Sequence, residues 1–232
     1  MTKFEERLED AVRHPDYDAG RSFSADDVAS NKHRKYVGGR WEEAATHQHD
    51  FLVGQGLKPH HKFLDVACGS FRAGRRLIDY LDPGHYFGID INPDLLSVGY
   101  DSELTADQRS RLPVENLRVA DRFDCDFGVA FDMAIAQSLF THVSLNHTRL
   151  CMYRVAKVMK PGGKFYATFN ERPSGFPVDG FQRRRATERN PFWYYRNDMR
   201  WASSFAPWEF RYIGNWGHPR KQKIFELTRL EN

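Results

Sequence analysis

The sequence predicts an α/β fold built on a mostly parallel sheet, and three observations carry that prediction. The first is the stretch from Lys62 to Asn92, where an apolar run (Phe63-Leu64-Asp65-Val66-Ala67) is followed by a glycine loop (Gly69 to Gly74). An amphipathic segment (Arg75 to Leu81) and a second apolar run (Tyr86 to Ile89, ending on Asp90) complete it. Both apolar runs are too short for helices and too continuous for half-exposed strands, so they are expected in the buried interior of a parallel sheet. The second observation is another apolar run, Phe131 to Ala136, with a helix expected from about Ser144 to Lys160 and a strand from Lys164 to Phe169. The third is alternation of apolar and polar residues in Trp208–Gly214 and Gln222–Leu230, which predicts a closing antiparallel hairpin. With Leu117-Arg118-Val119-Ala120 as a further short strand, the count is seven, with helices on both faces.

The order strand, glycine loop, helix, strand, terminal acid is the first unit of a Rossmann-like nucleotide-binding fold. Glycines at that turn let backbone N–H groups approach a ligand at the start of a helix. A carboxylate at the end of the next strand, Asp90, is placed to take both hydroxyls of a ribose. The dinucleotide pattern G-x-G-x-x-G is broken here, by Ala67 and Gly69. Asp65, inside the first strand, would repel a pyrophosphate but suits a ligand that carries an ammonium group. These residues resemble motif I of the class I S-adenosylmethionine-dependent methyltransferases, from whose glycine-richer loop Ala67 and Phe71 depart. The alternative is an unliganded α/β domain whose glycines only turn the chain.

The resemblance implies S-adenosylmethionine as cofactor and assigns it to a set of loop and strand-end residues. Asp65, Ala67, Gly69, Ser70, Arg72 and Gly74 form the loop, and Asp90 with Ile91 the ribose edge. Asp121, Arg122 and Phe123, after the third strand, are implied for the adenine, with Asp124 or Asp126 as alternatives in the run DRFDCDF. Gln137 and Ser138, at the carboxyl end of the fourth strand, fall beside the sulfonium. The turn Lys160-Pro161-Gly162-Gly163 extends the resemblance to about residue 171.

Composition narrows the function classes. The chain has 232 residues, enough for one α/β domain with a buried core. Its 34 basic and 31 acidic residues nearly balance, so no nucleic-acid partner is expected. Three cysteines (Cys68, Cys125, Cys151) show neither metal spacing nor a disulfide framework. The charged start MTKFEERLED is not a secretion signal, and no long apolar span occurs, so a cytoplasmic protein without membrane contact is expected. The chain reads as one domain of three parts: an arm and covering helix over 1–61, a cofactor-binding core over 62–171, and an acceptor-specificity excursion with the closing hairpin over 172–232.

Taken in order, residues 1 to 31 read as a short helix followed by a loosely held arm. Trp41, Ala44, Ala45, Phe51 and Leu52 have helical spacing. This helix either covers the crevice, with Tyr36-Val37-Gly38-Gly39 as its hinge, or simply packs on the sheet. Asn92-Pro93-Asp94 opens a helix to about Leu104, and residues 105 to 116 read as a polar loop. Residues 172 to 200 interleave Pro, Gly, Arg and aromatics without a period, and a helix is expected near Arg196 to Phe205.

In an open parallel sheet ligands bind outside the carboxyl ends of the strands. His142 falls just past the fourth strand on that side, whereas His60, His61 and His85 fall at the opposite ends. An imidazole titrates near neutrality, which suits a general base for a hydroxyl acceptor; the competing role for Thr141 and His142 is a helix cap. Asn170 and Glu171 end the fifth strand, either as Mg²⁺ ligands near an acceptor diol or as plain polar residues. No metal motif is present, and the metal stays unassigned. Trp193, Tyr194 and Tyr195, with Phe192 and Trp216, suit a stacking platform for a polyhydroxylated acceptor. Tyr36 and Trp41 on the covering segment join Asn170 and Glu171 as further acceptor-binding candidates, and Arg183-Arg184-Arg185 either meets an acceptor anion or is solvated. The motifs Y-V-G-G-x-W and S-L-F-T-H look similar to bacterial methyltransferases of small molecules and glycans, which implies O-methylation of a sugar hydroxyl, as in polysaccharide assembly. The alternatives are a lipid, carboxylate or amine acceptor, or a non-enzymatic partner protein, which would show damage at Asp65 or Asp90. Monomer and homodimer are both open.

Overall fold

A computed structural model describes residues 3–12, 20–173 and 191–231. Seven strands form one sheet: β1 (Phe63–Val66), β2 (Tyr86–Asp90), β3 (Leu117–Val119), β4 (Phe131–Ala136), β5 (Met159–Phe169), β6 (Trp208–Gly214) and β7 (Lys223–Arg229). Their order is β3-β2-β1-β4-β5-β7-β6. The first five run parallel, and β7 is antiparallel to both β5 and β6. The expected mostly parallel sheet with a C-terminal antiparallel hairpin is therefore present.

Side-chain alternation along the strands divides the core into two layers. Leu64, Val66, Ala134, Ala136, Phe165 and Phe225 pack with Leu150, Val155 and Met199 on one face. Phe63, Met133, Ile135, Tyr166 and Ile224 pack with Leu52, Leu77 and Ile78 on the other. These layers are supplied by helices α4 (Trp41–Gly54), α5 (Gly74–Tyr80), α8 (Leu145–Val158) and α9 (Arg196–Ser203), numbered in chain order with those that follow. Among the described residues no helix is long and apolar enough to cross a membrane.

Four expectations are corrected. The arm is not loosely held over its described part. After α1 (Lys3–Ala11), two short helices, α2 (Ala25–Ala29) and α3 (Lys32–Tyr36), lie before the covering helix. They are tied to the body: the Phe23 N–H donates to Asp94 at 3.2 Å, Asn92 Nδ2 donates to the Arg21 carbonyl at 2.9 Å, and Glu103 accepts from Arg34 at 2.6 and 2.8 Å. Residues 105 to 116 are not a loop but contain α7 (Ala106–Arg111) and a 3₁₀ turn at Val114–Asn116. Thr105 and Gln108 form a reciprocal capping box, which satisfies the first-turn N–H groups of a helix too polar and short to show apolar periodicity. Pro161-Gly162-Gly163 does not precede β5 but lies inside it, where the pairing with β4 shifts register between Phe131 and Met133. The helix expected from Pro93 to Leu104 divides into α6 (Pro93–Val98) and a π-helical turn, Gly99–Glu103. Arg183, Arg184 and Arg185 lie outside the described residues.

Candidate active site

The strand order reverses direction between β1 and β4, and a crevice opens there at the carboxyl ends of β1, β2 and β4. It spans about 1440 Å³ of non-atom space, open mouth and adjoining solvent included. One wall is made by β1 and β2. The Ala67 and Cys68 N–H groups both donate to the Ile89 carbonyl, at 2.8 and 3.0 Å, and Ala67 takes a left-handed φ of 64°. That turn aims the Gly69 N–H at Asp90, whose Oδ2 accepts it at 2.8 Å while Oδ1 accepts the Asn92 N–H at 2.9 Å. Burial pushes the Asp90 pKa up, and these N–H bonds oppose the shift.

Asp65 is 4% exposed and accepts the Tyr86 hydroxyl at 2.8 Å. Its pKa is pushed up to about 7, chiefly by burial; the Tyr86 bond and Arg72 oppose the rise and Asp90 adds to it. Two buried carboxyl groups thus share one wall, each lacking a cationic partner at bonding distance among the described residues.

The other wall comes from three distant segments. A strap, residues 36–40, crosses the glycine loop so closely that a side-chain carbon on Gly69 would lie 3.1 Å from Val37 Cγ1, where φ is +58°. Arg72 pins the strap by donating from Nη1 to the Val37 and Gly39 carbonyls, at 2.9 and 3.4 Å. At the end of β4, Ser138 takes a left-handed φ of 63°; its N–H donates to Thr168 Oγ1 at 2.7 Å and its hydroxyl to Gln222 Oε1 at 3.0 Å. Gln137 lies 2.9 Å from His218 Nε2, a residue of the β6–β7 loop that also lines the crevice. Burial, then the positive charge of Arg72, pushes the His218 pKa down to about 4, so its ring is neutral. His142 and Val143 follow β4, and His147 on α8 faces the same space.

Residues 64–165 match the family described as a methyltransferase domain. Solved structures agree in fold at low identity. A S-adenosylmethionine-dependent methyltransferase from Clostridium acetobutylicum ATCC 824 is 12% identical, with 90% of this chain and 100% of that one covered and a TM-score of 0.63. The sugar N-methyltransferase KedS8 from Streptoalloteichus sp. ATCC 53650 is 17% identical, with 91% and 95% covered and a TM-score of 0.62. The magnesium protoporphyrin IX methyltransferase ChlM from Synechocystis PCC 6803, with bound S-adenosylmethionine, is 12% identical, with 99% and 98% covered and a TM-score of 0.59.

Within the crevice the structure brings together Asp65, Ala67, Gly69, Arg72, Asp90, Ile91, Asp121, Phe123, Gln137, Ser138, His142 and Tyr36. In the DRFDCDF run Asp121 and Phe123 face the crevice, whereas Asp124 pairs with Arg118 at 2.9 Å and Asp126 accepts the Gly128 N–H at 3.0 Å. Other candidates lie elsewhere. Ser70 is fully buried beneath Gly99, and a side chain on Gly74 would meet the Tyr86 hydroxyl at 2.7 Å, so Gly74 serves the packing of α5 on β2. Arg122 pairs with Glu9 at 2.9 Å, and Trp41 is covered by the guanidinium groups of Arg34 and Arg75 at 5.0 and 5.2 Å. Glu171 accepts from Tyr212 at 2.5 Å and Arg196 at 3.2 Å.

The aromatic candidates Trp193, Tyr194 and Tyr195 do not line the crevice either. Tyr194 is 4% exposed, stacks on Phe192, and donates its hydroxyl to the Val143 carbonyl at 2.7 Å. The Phe192 N–H donates to the Thr141 carbonyl at 2.8 Å, and Asn170 Nδ2 donates to the Phe192 carbonyl at 3.1 Å. This aromatic segment therefore buttresses the turn that carries His142. Sequence reasoning missed His147, His218 and Arg220. Ser144, 2.9 Å from His147 Nδ1, was a local signal for the first; the other two reach the crevice only through closure of the hairpin.

Proposed function

We propose that the crevice binds S-adenosylmethionine and that the chain transfers its methyl group to a hydroxyl of a sugar or similar small metabolite. The observation that carries this reading is the pair of buried carboxyl groups, Asp65 and Asp90, on one wall with His142 opposite, past the end of β4. The donor set fits the cofactor. Asp90 has a lone pair left on each oxygen for ribose hydroxyls, and Asp65, held near neutrality by burial, gains most from a ligand ammonium group. Bound S-adenosylmethionine supplies an electrophilic methyl group on a cationic sulfur.

The protein's own part is positioning and proton removal. Val37 of the strap, Leu139 and Val143 line the crevice with apolar groups, and alignment of the reactants within it supplies much of the acceleration. A ring nitrogen of His142 takes the acceptor's hydroxyl proton, a step typically worth about a hundred- to ten-thousand-fold. Incubation with S-adenosylmethionine labelled in the methyl group, against panels of glycosides, lipids, carboxylates and amines, tests the reading. Label is expected in hydroxylated sugars; label confined to amines or carboxylates would overturn the acceptor assignment.

A further inference from the structure

Arg72 and Arg220 line the crevice together with Arg40, and unlike Arg40, which pairs with Glu43, neither meets a carboxylate among the described residues. Arg72 spends Nη1 on strap carbonyls, and its Nε is buried with no acceptor. Arg220, from the β6–β7 loop, donates from Nη2 to the Gly38 carbonyl. A side-chain carbon on Gly38 would lie 3.3 Å from both terminal nitrogens of Arg220, and φ there is +104°, so the guanidinium rests directly on the strap. The two cations act on each other: burial lowers the Arg72 pKa most, and the charge of Arg220 lowers it further. His218, next to both, is neutral and offsets nothing.

Neutral carbonyl groups do not require this arrangement, since an amide would serve them without a charge to desolvate. Arg72 is half-buried with its Nε unpaired, which is costly unless an anion joins it, and the exposed Arg220 brings a second positive charge to the same wall. The geometry points to an anion-binding subsite between Arg72 and Arg220 that takes a carboxylate or phosphate group of a crevice ligand. This rests on the cofactor and acceptor reading given above. Two sources have the right chemistry. One is the α-carboxylate of the cofactor's amino-acid end: Asp65, close enough to Arg72 for the two charges to interact, would take the ammonium of the same unit. The other is an anionic group on the acceptor.

The test is calorimetric titration of S-adenosylhomocysteine and of 5′-methylthioadenosine, which lacks the amino-acid end, into wild type, Arg220→Gln and Arg220→Lys. Arg220 is the better target, because Arg72 also pins the strap. If the cofactor supplies the anion, Arg220→Gln weakens S-adenosylhomocysteine about ten- to hundredfold. Methylthioadenosine then changes less than about twofold, and lysine restores part of the loss. If the acceptor supplies it, both nucleosides bind Arg220→Gln normally. Glucose 6-phosphate, but not glucose, then raises the melting temperature of wild type and not of the variant, with or without S-adenosylhomocysteine. Equal losses for the two nucleosides, or a variant matching wild type in both arms, would overturn the subsite. Wild type binding neither nucleoside would instead refute the cofactor reading, and the glucose 6-phosphate arm would still test the subsite.

Discussion

The two walls of the crevice are built in different ways. The β1–β2 wall is local: Asp65 and Asp90 sit on adjacent parallel strands, and the bonds that hold them, Gly69 to Asp90 and Tyr86 to Asp65, each span 21 residues. The opposite wall is assembled from far apart, with Gln137 and His218 separated by 81 residues and Gly38 and Arg220 by 182. The difference teaches how the fold divides its work. A wall fixed by strand register presents the same acids whatever else changes, which suits a constant ligand. A wall made of strap, turn and hairpin loop is set by tertiary closure, and there a varying acceptor can be read.

This contrast is broken most forcefully at His142. His142→Ala should lower kcat by about two to four decades while S-adenosylhomocysteine affinity stays within about twofold, because the acids read as its ribose and ammonium contacts, Asp90 and Asp65, lie on the other wall. A folded variant with near-normal kcat would reduce His142 to a cap, and His147 would be the next base to test.

A smaller effect sharpens the role of the constant wall. Asp65 has its folded pKa raised to about 7, well above the ordinary carboxylate value. Its contribution to the stability of the ligand-free protein is therefore fully present below pH ~4 and is lost as pH rises toward 7, where the unfolded chain has given up the proton that the native state still holds. Binding a ligand ammonium favours the ionised form, so S-adenosylhomocysteine should release a proton below pH 7. Its affinity should rise with pH, by up to about tenfold per unit, and level off above 7. Titrations in two buffers of different ionisation enthalpy read that proton directly; equal heats at pH 6 would remove Asp65 from the ammonium.

The smallest expected effect lies behind the variable wall. Tyr194→Phe leaves the buried Val143 carbonyl without its partner and should cost about 1–3 kcal/mol in denaturant unfolding. Because Val143 adjoins His142, kcat should fall several-fold with cofactor affinity unchanged. A raised acceptor KM with normal stability would instead return Tyr194 to the role of an acceptor platform.

The fold was legible wherever its signal was short-range. The apolar runs at 63–67, 86–89 and 131–136 mark strands buried on both faces, and the alternation after residue 207 marks the hairpin. α7 escaped an apolar-periodicity reading, although Thr105 and Gln108 carried its capping box. In the site, Asp65 and Asp90 were legible because a strand end and a glycine loop fix them locally. His218 and Arg220 were not, since nothing near Asn215-Trp216-Gly217 tells that this loop folds back onto the strap. Trp193, Tyr194 and Tyr195 show the reverse failure. An aromatic cluster suits a sugar platform and a buttress equally well by composition, and only burial and the Tyr194–Val143 bond separate the two.

The central claim, that the constant wall holds the nucleoside of S-adenosylmethionine through Asp90, is tested most directly by calorimetry with S-adenosylhomocysteine and NAD. Wild type should bind S-adenosylhomocysteine and ignore NAD. A folded Asp90→Ala variant should bind S-adenosylhomocysteine more weakly by about 1.5–3 kcal/mol, the loss of a charge-assisted acceptor for the ribose hydroxyls. Unchanged affinity in that variant, or tight binding of NAD by wild type, would contradict the account.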